Sequence, residues 1–218
     1  MPVIAIDGPA GAGKSTVARS VASRTGLPYL DTGAMYRCIA LVAHRSGHDV
    51  TDVELMGKIA ATAQIVVENG TVLLNGEDVS AQIRLPEIAQ IVSIIAAHSS
   101  VRDAMREQQR QWVLAHDGGV IEGRDIGTVV FPNADLKIFL TASPEVRAQR
   151  RVHQAGGDVE EIAANIAERD RIDSTRADSP LVAAHDSLLV DSSNQSIDEV
   201  VEEIVSHFER TRKSAKNG

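Results

Sequence analysis

Residues 8–15 read Gly8-Pro9-Ala10-Gly11-Ala12-Gly13-Lys14-Ser15, which matches the pattern G-x-x-x-x-G-K-[ST]. A strand-like apolar run precedes this motif, and an amphipathic helical pattern follows it from Thr16 onward. A strand, a glycine-rich loop and a helix in this order form a phosphate-binding loop (P-loop), in which backbone N–H groups and the positive end of the helix face the anion. Lys14 then reaches the β- and γ-phosphates, and the Ser15 hydroxyl ligates Mg²⁺. The sequence therefore predicts that residues 8–16 bind a nucleoside triphosphate, ATP or a relative, and are more than a structural turn.

Five short apolar runs predict the strands of a parallel sheet, because helical patterns separate them. They span residues 3–7, 27–31, 119–122, 136–140 and 187–191. This alternation predicts an α/β fold in which a five-stranded parallel sheet carries helices on both faces. Ligands of such sheets bind at the carboxyl ends of the strands. Four of the runs end in an acid, and the run 119–122 also leads into the Gly123-Arg124-Asp125 loop. We therefore expect the chemistry at that edge.

One region departs from the α/β alternation. Residues 65–79 contain two Asn-Gly dipeptides between apolar stretches, and Asn-Gly favours tight hairpin turns because both residues tolerate positive φ. We predict a small antiparallel β insertion over about residues 62–84, with an extended loop as the alternative. The pattern over 99–116 predicts a helix, and its Trp112 is interpreted as a core residue more readily than as a base-stacking platform.

Composition narrows the class of protein. The 218 residues fit one domain, and 43% apolar and 24% charged residues are ordinary for a globular chain. A formal net charge of -8 argues against a broad nucleic-acid-binding face. No apolar run is long enough to span a bilayer, and no coiled-coil pattern indicates assembly. The single cysteine, Cys38, predicts a buried thiol in a reducing compartment. We expect a cytoplasmic monomer without membrane or nucleic-acid partners.

Arginines are grouped at predicted strand ends and after a Gly-Gly hinge. Guanidinium groups bind phosphate oxygens bidentately and stay charged, which suits a site for two phosphorylated substrates. For any single arginine a solvated surface position is the alternative. The chain lacks the Asn-Lys dipeptide of guanine-reading GTPases. The grouped arginines are Arg37, Arg124, Arg147, Arg150, Arg151, Arg169, Arg171 and Arg176.

Four stretches resemble the bacterial cytidylate kinases, which are P-loop kinases of nucleoside monophosphates. The stretch after the third predicted strand is more specific than the P-loop itself, and the order of insertion and lid extends the similarity over nearly the whole chain. The four stretches span residues 7–16, 30–37 (Leu-Asp-Thr-Gly-Ala-Met-Tyr-Arg), 122–132 (Glu-Gly-Arg-Asp-Ile-Gly-Thr-Val-Val-Phe-Pro) and 169–176 (Arg-Asp-Arg-Ile-Asp-Ser-Thr-Arg).

This resemblance implies the reaction ATP + (d)CMP → ADP + (d)CDP with Mg²⁺. It implies that the cytosine ring meets Ser93, Arg102 and Asp125, and that the phosphate of CMP meets Arg37, Arg124 and Arg176. It also places Arg169 and Asp173 near the ribose and Thr32 beside the acceptor nucleotide. Two alternatives stay open, because Ser93 suits an ordinary helix residue and Asp125 suits an ion pair with Arg124.

The resemblance further implies a division of the chain into a core (1–61, 85–150 and 172–218), a nucleotide-binding β insertion (62–84) and a lid (151–171). Lys14, Arg124, Arg147 and Arg151 are implied to act in catalysis, the last two from the ATP side and the lid. Family members often have Asp where this chain has Glu122, and Glu122 is a candidate for holding Mg²⁺ through water. The lid is short beside that of some relatives.

Two other functions remain as alternatives. An adenylate, uridylate or shikimate kinase would share the P-loop and the lid, but Asp125 and the β insertion argue against it. A nucleotide-binding regulatory module without catalysis would need no acceptor-side arginines. The seven histidines have no metal-ligand spacing and are interpreted as structural or surface residues.

Overall fold

A computed structural model describes residues 1–68 and 70–216. Its strands are β1 (Val3–Asp7), β2 (Tyr29–Asp31), β3 (Ile65–Glu68), β4 (Thr71–Leu74), β5 (Glu77–Asp78), β6 (Gly119–Gly123), β7 (Leu136–Thr141) and β8 (Leu188–Asp191). Its helices are α1 (Lys14–Thr25), α2 (Thr32–Ser46), α3 (Val53–Thr62), α4 (Pro86–Ile95), α5 (Ser99–Ala115), α6 (Pro144–Ala155), α7 (Val159–Thr175) and α8 (Ile197–Lys216). Residues 69, 217 and 218, which the predicted insertion and core include, lie outside the described residues.

The central sheet has the strand order β2-β6-β1-β7-β8, and every neighbouring pair is parallel. All five strands predicted from apolar runs are confirmed, although β2 begins two residues later than its run. Successive side chains of a strand point to opposite faces of the sheet. Ala5 of β1 accordingly joins the core beneath α2, α3, α4 and α5, whereas Ile4 and Ile6 join the core beneath α1 and α8. Helices therefore cover both faces, as predicted.

Burial of β1 on both faces gives the P-loop a rigid base. All five of its residues are buried, and full burial of one aliphatic side chain stabilises the fold by about 1.5–3 kcal/mol. Because all five strands of the central sheet are parallel, their carboxyl ends share one edge. Asp7, Asp31 and Gly123 end three neighbouring strands at that edge.

The predicted insertion is a three-stranded antiparallel sheet in the order β3-β4-β5. Asn75 and Gly76 join β4 to β5 with φ values of 51° and 85°, as a two-residue hairpin turn requires. The first Asn-Gly pair includes Asn69, which lies outside the described residues. Val67 and Val72 of this sheet are buried in the same core as Ile39 of α2, so the insertion packs on the α2 face of the domain.

Helices α6 and α7 form a hairpin around Gly156 and Gly157, whose φ values are 70° and 101°. Asp158 caps α7 by accepting hydrogen bonds from the backbone N–H groups of Glu160 and Glu161. The first residues of the predicted lid belong to α6 and the others to the connection and α7. Across residues 1–68 and 70–216, no helix has both the length and the apolar character that a bilayer crossing needs.

Cys38 is fully buried in α2 and is a free thiol. Burial, with a smaller contribution from the Asp31 carboxylate, raises the pKa of this thiol to about 12. A thiol that stays protonated at neutral pH is a poor nucleophile. The prediction of a buried thiol at Cys38 is confirmed.

Candidate active site

The P-loop leaves β1 at Gly8, where no other residue fits. A Cβ at this position would lie 2.0 Å from the carbonyl oxygen of Leu140 in the adjacent strand. The loop ends at Gly13, whose φ of 90° turns the chain directly into α1. The free N–H groups of the first helical turn therefore border the loop, and such a turn binds anions.

Lys14 is buried within this loop. Its Nζ atom donates a hydrogen bond of 2.8 Å to the carbonyl oxygen of Pro9, so the side chain folds back over its own loop. Burial, followed by the charge of Arg124, lowers the pKa of Lys14 to about 7, while the charge of Glu122 acts in the opposite direction. A polyanion bound in the loop would favour the charged ammonium, because opposite charges stabilise one another at short range.

Ser15 and Glu122, the two predicted metal residues, are in contact. The Ser15 hydroxyl donates to Oε2 of Glu122 at 3.0 Å, and the Tyr29 hydroxyl donates to Oε1. Burial and the charge of Asp31, which lies opposite Glu122 in the β2–β6 pairing, raise the pKa of the Glu122 carboxyl. Hydroxyl and carboxylate oxygens are the hard donors that Mg²⁺ prefers, so the donor set fits this ion. Among the described residues, no group of three or more His, Cys, Asp or Glu side chains is arranged to hold a metal.

On the other side of the site, Arg102 and Asp125 form a buried ion pair. Nη2 of Arg102 lies 2.5 Å from Oδ2 of Asp125, and the two side chains are only 1% and 6% exposed. Nη2 of Arg176 lies 3.7 Å from the other carboxylate oxygen. The Tyr36 ring packs against Arg102, with 5.5 Å between the guanidinium carbon and the ring centroid. The alternative pairing of Asp125 with Arg124 is wrong, because each has another partner.

That other partner of Arg124 is Asp173, at 2.8 Å between Nε and Oδ2. Nη1 of Arg176 approaches the same carboxylate at 3.6 Å. Burial alone would raise the pKa of Asp173, but the charges of Arg124 and Arg169 outweigh it and lower the pKa. Burial, followed by the Arg124 charge, lowers the pKa of Arg169 to about 9. Cations that destabilise one another in this way favour binding of an anion between them.

The remaining acceptor-side residues flank this cluster. Arg37 donates to the carbonyl oxygen of Ile83 at 3.1 Å, and burial lowers its pKa to about 10. The Thr32 hydroxyl donates to the carbonyl oxygen of Glu122 at 2.6 Å. Ser93 is buried in the last two turns of α4, and the carbonyl of Ala96 just beyond this helix accepts a hydrogen bond from Arg102.

Arg147 and Arg151, the two predicted catalytic arginines of α6, have different environments. Arg147 is buried, and it donates to the carbonyl oxygens of Ala142 at 3.1 Å and Ala10 at 2.9 Å. Arg151 is exposed, and its charge lowers the pKa values of both Arg37 and Arg169. Arg147 therefore contacts the P-loop backbone, whereas Arg151 adds positive potential to the acceptor cluster.

Sequence reasoning missed three side chains of this site, namely Tyr29, Asp7 and Asp170. Asp7 accepts hydrogen bonds from the N–H groups of Ile126 and Gly127 at 2.8 and 2.7 Å. Burial raises the pKa of Asp7 to about 6 despite these bonds. Asp7 thereby holds the π-helical turn Ile126–Val130 that follows the Arg124-Asp125 loop. Its position at the end of the first predicted strand was a signal for such a role.

The family model and the curated relatives that match this chain indicate the same family. The family model described as cytidylate kinase matches residues 4–210. A cytidylate kinase of Pelotomaculum thermopropionicum is 47% identical over 97% of this chain and 98% of its own length. A cytidylate kinase of Solibacter usitatus is 50% identical over 93% of this chain and 90% of its own length. A solved shikimate kinase from Bacteroides thetaiotaomicron superimposes with a TM-score of 0.51 at 14% identity, covering 95% of this chain and 98% of that one. At that identity the similarity concerns the fold alone.

Proposed function

This chain belongs to the cytidylate kinase family. On that basis we propose which residues bind ATP, which bind CMP and which act in phosphoryl transfer between them. The chain is a (d)CMP kinase that uses ATP and yields ADP and CDP or dCDP. One observation supports this assignment of residues best. The Ser15 hydroxyl of the P-loop donates a hydrogen bond of 3.0 Å to Glu122, which lies two residues before Arg124 of the acceptor cluster. A donor site and an acceptor site thus meet at one edge of the sheet.

On the donor side, residues 8–16 hold the phosphates of ATP through backbone N–H groups, and Lys14 neutralises their charge. Ser15 would hold Mg²⁺ directly, and Glu122 would hold it through water. When bound, Mg²⁺ neutralises the charge of the transferring phosphoryl group. The hydrogen bond from Tyr29 to Glu122 keeps the carboxylate oriented toward Ser15.

On the acceptor side, Asp125 accepts a hydrogen bond from the N4 amino group of cytosine, and Arg102 donates to O2 or N3. Uracil carries a carbonyl oxygen in place of that amino group. This oxygen has no proton to donate to the Asp125 carboxylate that it would face. Ser93 adds a hydroxyl at the same ring. The phosphate of CMP is held by Arg37, Arg124 and Arg176, the ribose lies at Arg169 and Asp173, and Thr32 lies beside the nucleotide.

The chemical step needs no nucleophile from the protein. An oxygen of the CMP phosphate attacks the γ-phosphorus in line, the bond to the ADP oxygen breaks, and the electron pair leaves with ADP. Lys14, Arg124, Arg147 and Arg151 offset the charge of the transition state, and positioning supplies much of the rate. Closure of the lid (151–171) and of the β insertion (62–84) over the core excludes water that would otherwise hydrolyse ATP.

The proposal also includes the oligomeric state and the location of the protein. We infer a monomer, and we infer a cytoplasmic location because the free Cys38 thiol suits a reducing compartment.

Replacement of Arg124 by alanine tests this proposal. We expect kcat with CMP to fall by about 10²–10³ because a donor to the transition-state charge is lost, while ATP binding by calorimetry stays near wild type. Arg171→Ala is the control, since Arg171 pairs with Glu168 on the exposed face of α7.

ADP production with CMP, dCMP, UMP, AMP or shikimate, each offered alone, tests the acceptor class. Fast turnover confined mainly to CMP and dCMP is expected. Preference for another acceptor would remove the assigned roles of Arg102 and Asp125, and near-wild-type kcat in Arg124→Ala would refute the role of Arg124.

A further inference from the structure

Asp170 lies outside every role assigned above, yet it contacts the P-loop and Arg147 at once. Its Oδ1 atom accepts a hydrogen bond of 3.0 Å from the backbone N–H of Ala10. Its Oδ2 atom accepts a hydrogen bond from Nη1 of Arg147. We propose that Asp170 is a positioning residue that holds Arg147 and the Ala10 peptide in place and so couples the lid helix α7 to the P-loop.

The contacts form a closed ring around one residue of the P-loop. Arg147 donates to the carbonyl oxygen of Ala10, Asp170 accepts from the N–H of Ala10, and the two side chains bond to each other. The side chains are only 10% and 20% exposed. Charge-assisted hydrogen bonds are stronger than neutral ones, and partial burial protects them from screening by salt. Both polar groups of Ala10 are therefore fixed by charged side chains from outside the loop.

Ala10 needs support from outside the P-loop because the next residue is a glycine. Gly11 has a φ of 76°, and the backbone of glycine has more conformational freedom than that of any other residue. Arg147 also makes a second contact away from the loop, with the carbonyl of Ala142 after β7. The guanidinium group is thus anchored between the sheet and the P-loop, and Asp170 supplies its neutralising charge.

Asp170 also connects the donor side to the acceptor side through one helix. Two residues close to Asp170 on α7 belong to the acceptor cluster around Arg124. Arg169 directly precedes Asp170, and Asp173 lies about one helical turn after it. A shift of α7 that pulls Asp170 from Ala10 would therefore also move Arg169 and Asp173. By this coupling the orientation of the P-loop depends on the position of the lid helix.

The inference rests on the proposed role of Arg147 in phosphoryl transfer, and kinetics of matched variants test it. Asp170→Asn keeps the size of the side chain and removes the charge opposite Arg147. Glu168→Gln is the control. Glu168 lies two residues earlier on the same helix, and its carboxylate forms an exposed ion pair with Arg171. We expect Asp170→Asn to lower kcat by about tenfold or more with KM for CMP within about twofold. A kcat equal to that of Glu168→Gln would overturn the proposal.

Two further measurements separate positioning from general damage. In Asp170→Ala, hydrogen exchange of the Ala10 amide should accelerate by about tenfold or more relative to the amides of α8, because its acceptor is lost. In an Arg147→Ala background, Asp170→Asn should lower kcat by less than about twofold, since paired residues are not additive. Unchanged Ala10 exchange, or a full kcat loss in the double variant, would overturn the proposal.

Arg147→Ala alone separates this inference from the function on which it rests. An unchanged kcat in that variant would refute the catalytic role of Arg147 and with it the kinetic part of the inference. Faster Ala10 exchange in Asp170→Ala would still support the hydrogen bond by which Asp170 holds the Ala10 peptide.

Circular dichroism establishes that each variant is folded. If Asp170→Asn unfolds, Asp170→Glu replaces it. The extra methylene displaces the charge by about 1 Å, which is enough to lower kcat tenfold or more, and wild-type kcat there would overturn the proposal.

Discussion

Replacement of Asp125 by asparagine should weaken both the fold and the selection of cytosine. The carboxylate of Asp125 neutralises Arg102 at 2.5 Å and lies 3.7 Å from Arg176. All three side chains are almost fully buried. Asparagine keeps the shape of the side chain but removes its charge, so two buried guanidinium groups lose a shared counterion.

The expected loss of stability follows from this burial. Breaking a buried ion pair from one side costs about 3–5 kcal/mol because the remaining charge is left uncompensated. Here Asp178 lies 4.0 Å from Nε of Arg102, and Asp173 lies 3.6 Å from Arg176. These carboxylates replace part of the lost charge, so we expect about 3 kcal/mol, the lower end of the range. For a chain of this length, that loss lowers the melting temperature by about 6–12 °C.

Urea unfolding and steady-state kinetics measure the two effects. We expect KM for CMP to rise about tenfold or more and the preference for CMP over UMP to shrink, because the charged acceptor for the N4 amino group is gone. The control is Glu77→Gln, which breaks an exposed bidentate pair with Arg45 at 2.6 and 2.8 Å and should cost less than about 1 kcal/mol. A free energy of unfolding no lower than that of Glu77→Gln would refute the energetic argument, and unchanged selectivity would refute the role of Asp125 at the base.

Three further predictions concern buried positions. Gly8→Ala should destabilise the protein by about 1–3 kcal/mol, since the new Cβ would meet the Leu140 carbonyl oxygen. Asp7→Asn removes a buried acid whose pKa is raised to about 6. Folding therefore favours the protonated acid, and the stability of the wild type relative to this variant is greatest below pH 3.8 and falls by about 3 kcal/mol as the pH rises through 6. Cys38 should react with a thiol-specific chromogenic reagent only after unfolding, because it is buried and its pKa is raised to about 12.

Each of these has its own control. For Gly8→Ala the control is Gly26→Ala, where the left-handed backbone is strained but no atom lies within 4 Å of the new Cβ, and an equal loss in both variants would contradict the close-contact argument. Urea titrations from pH 3.5 to pH 7 test Asp7, and a pH-independent difference from Asp7→Asn would contradict its raised pKa. Rapid labelling of Cys38 in the folded protein, with full activity retained, would contradict its burial.

The P-loop and the central strands were predictable because their signals are local. Gly8–Ser15 is a contiguous pattern in which the residue type at each position indicates the backbone conformation required there. A buried parallel strand is likewise recognisable as a short apolar run, whatever strands lie next to it in the sheet. The Asn75-Gly76 turn was predictable for the same reason, since both residues adopt positive φ. The resemblance to a family added the order of the acceptor-side residues, but it did not orient their side chains.

Local sequence patterns thus predict the α/β fold, the phosphate-binding loop and the residue types that gather at the carboxyl edge of the sheet. They do not predict which charges pair in the folded protein. Asp125 pairs with Arg102 instead of its neighbour Arg124, and Asp170 reaches Ala10 across 160 residues of sequence. The physical reason is that adjacent residues on a strand end or turn point in different directions, whereas buried charges must find partners wherever the packing brings them. That choice depends on the folded positions of α5 and α7, which no local pattern specifies.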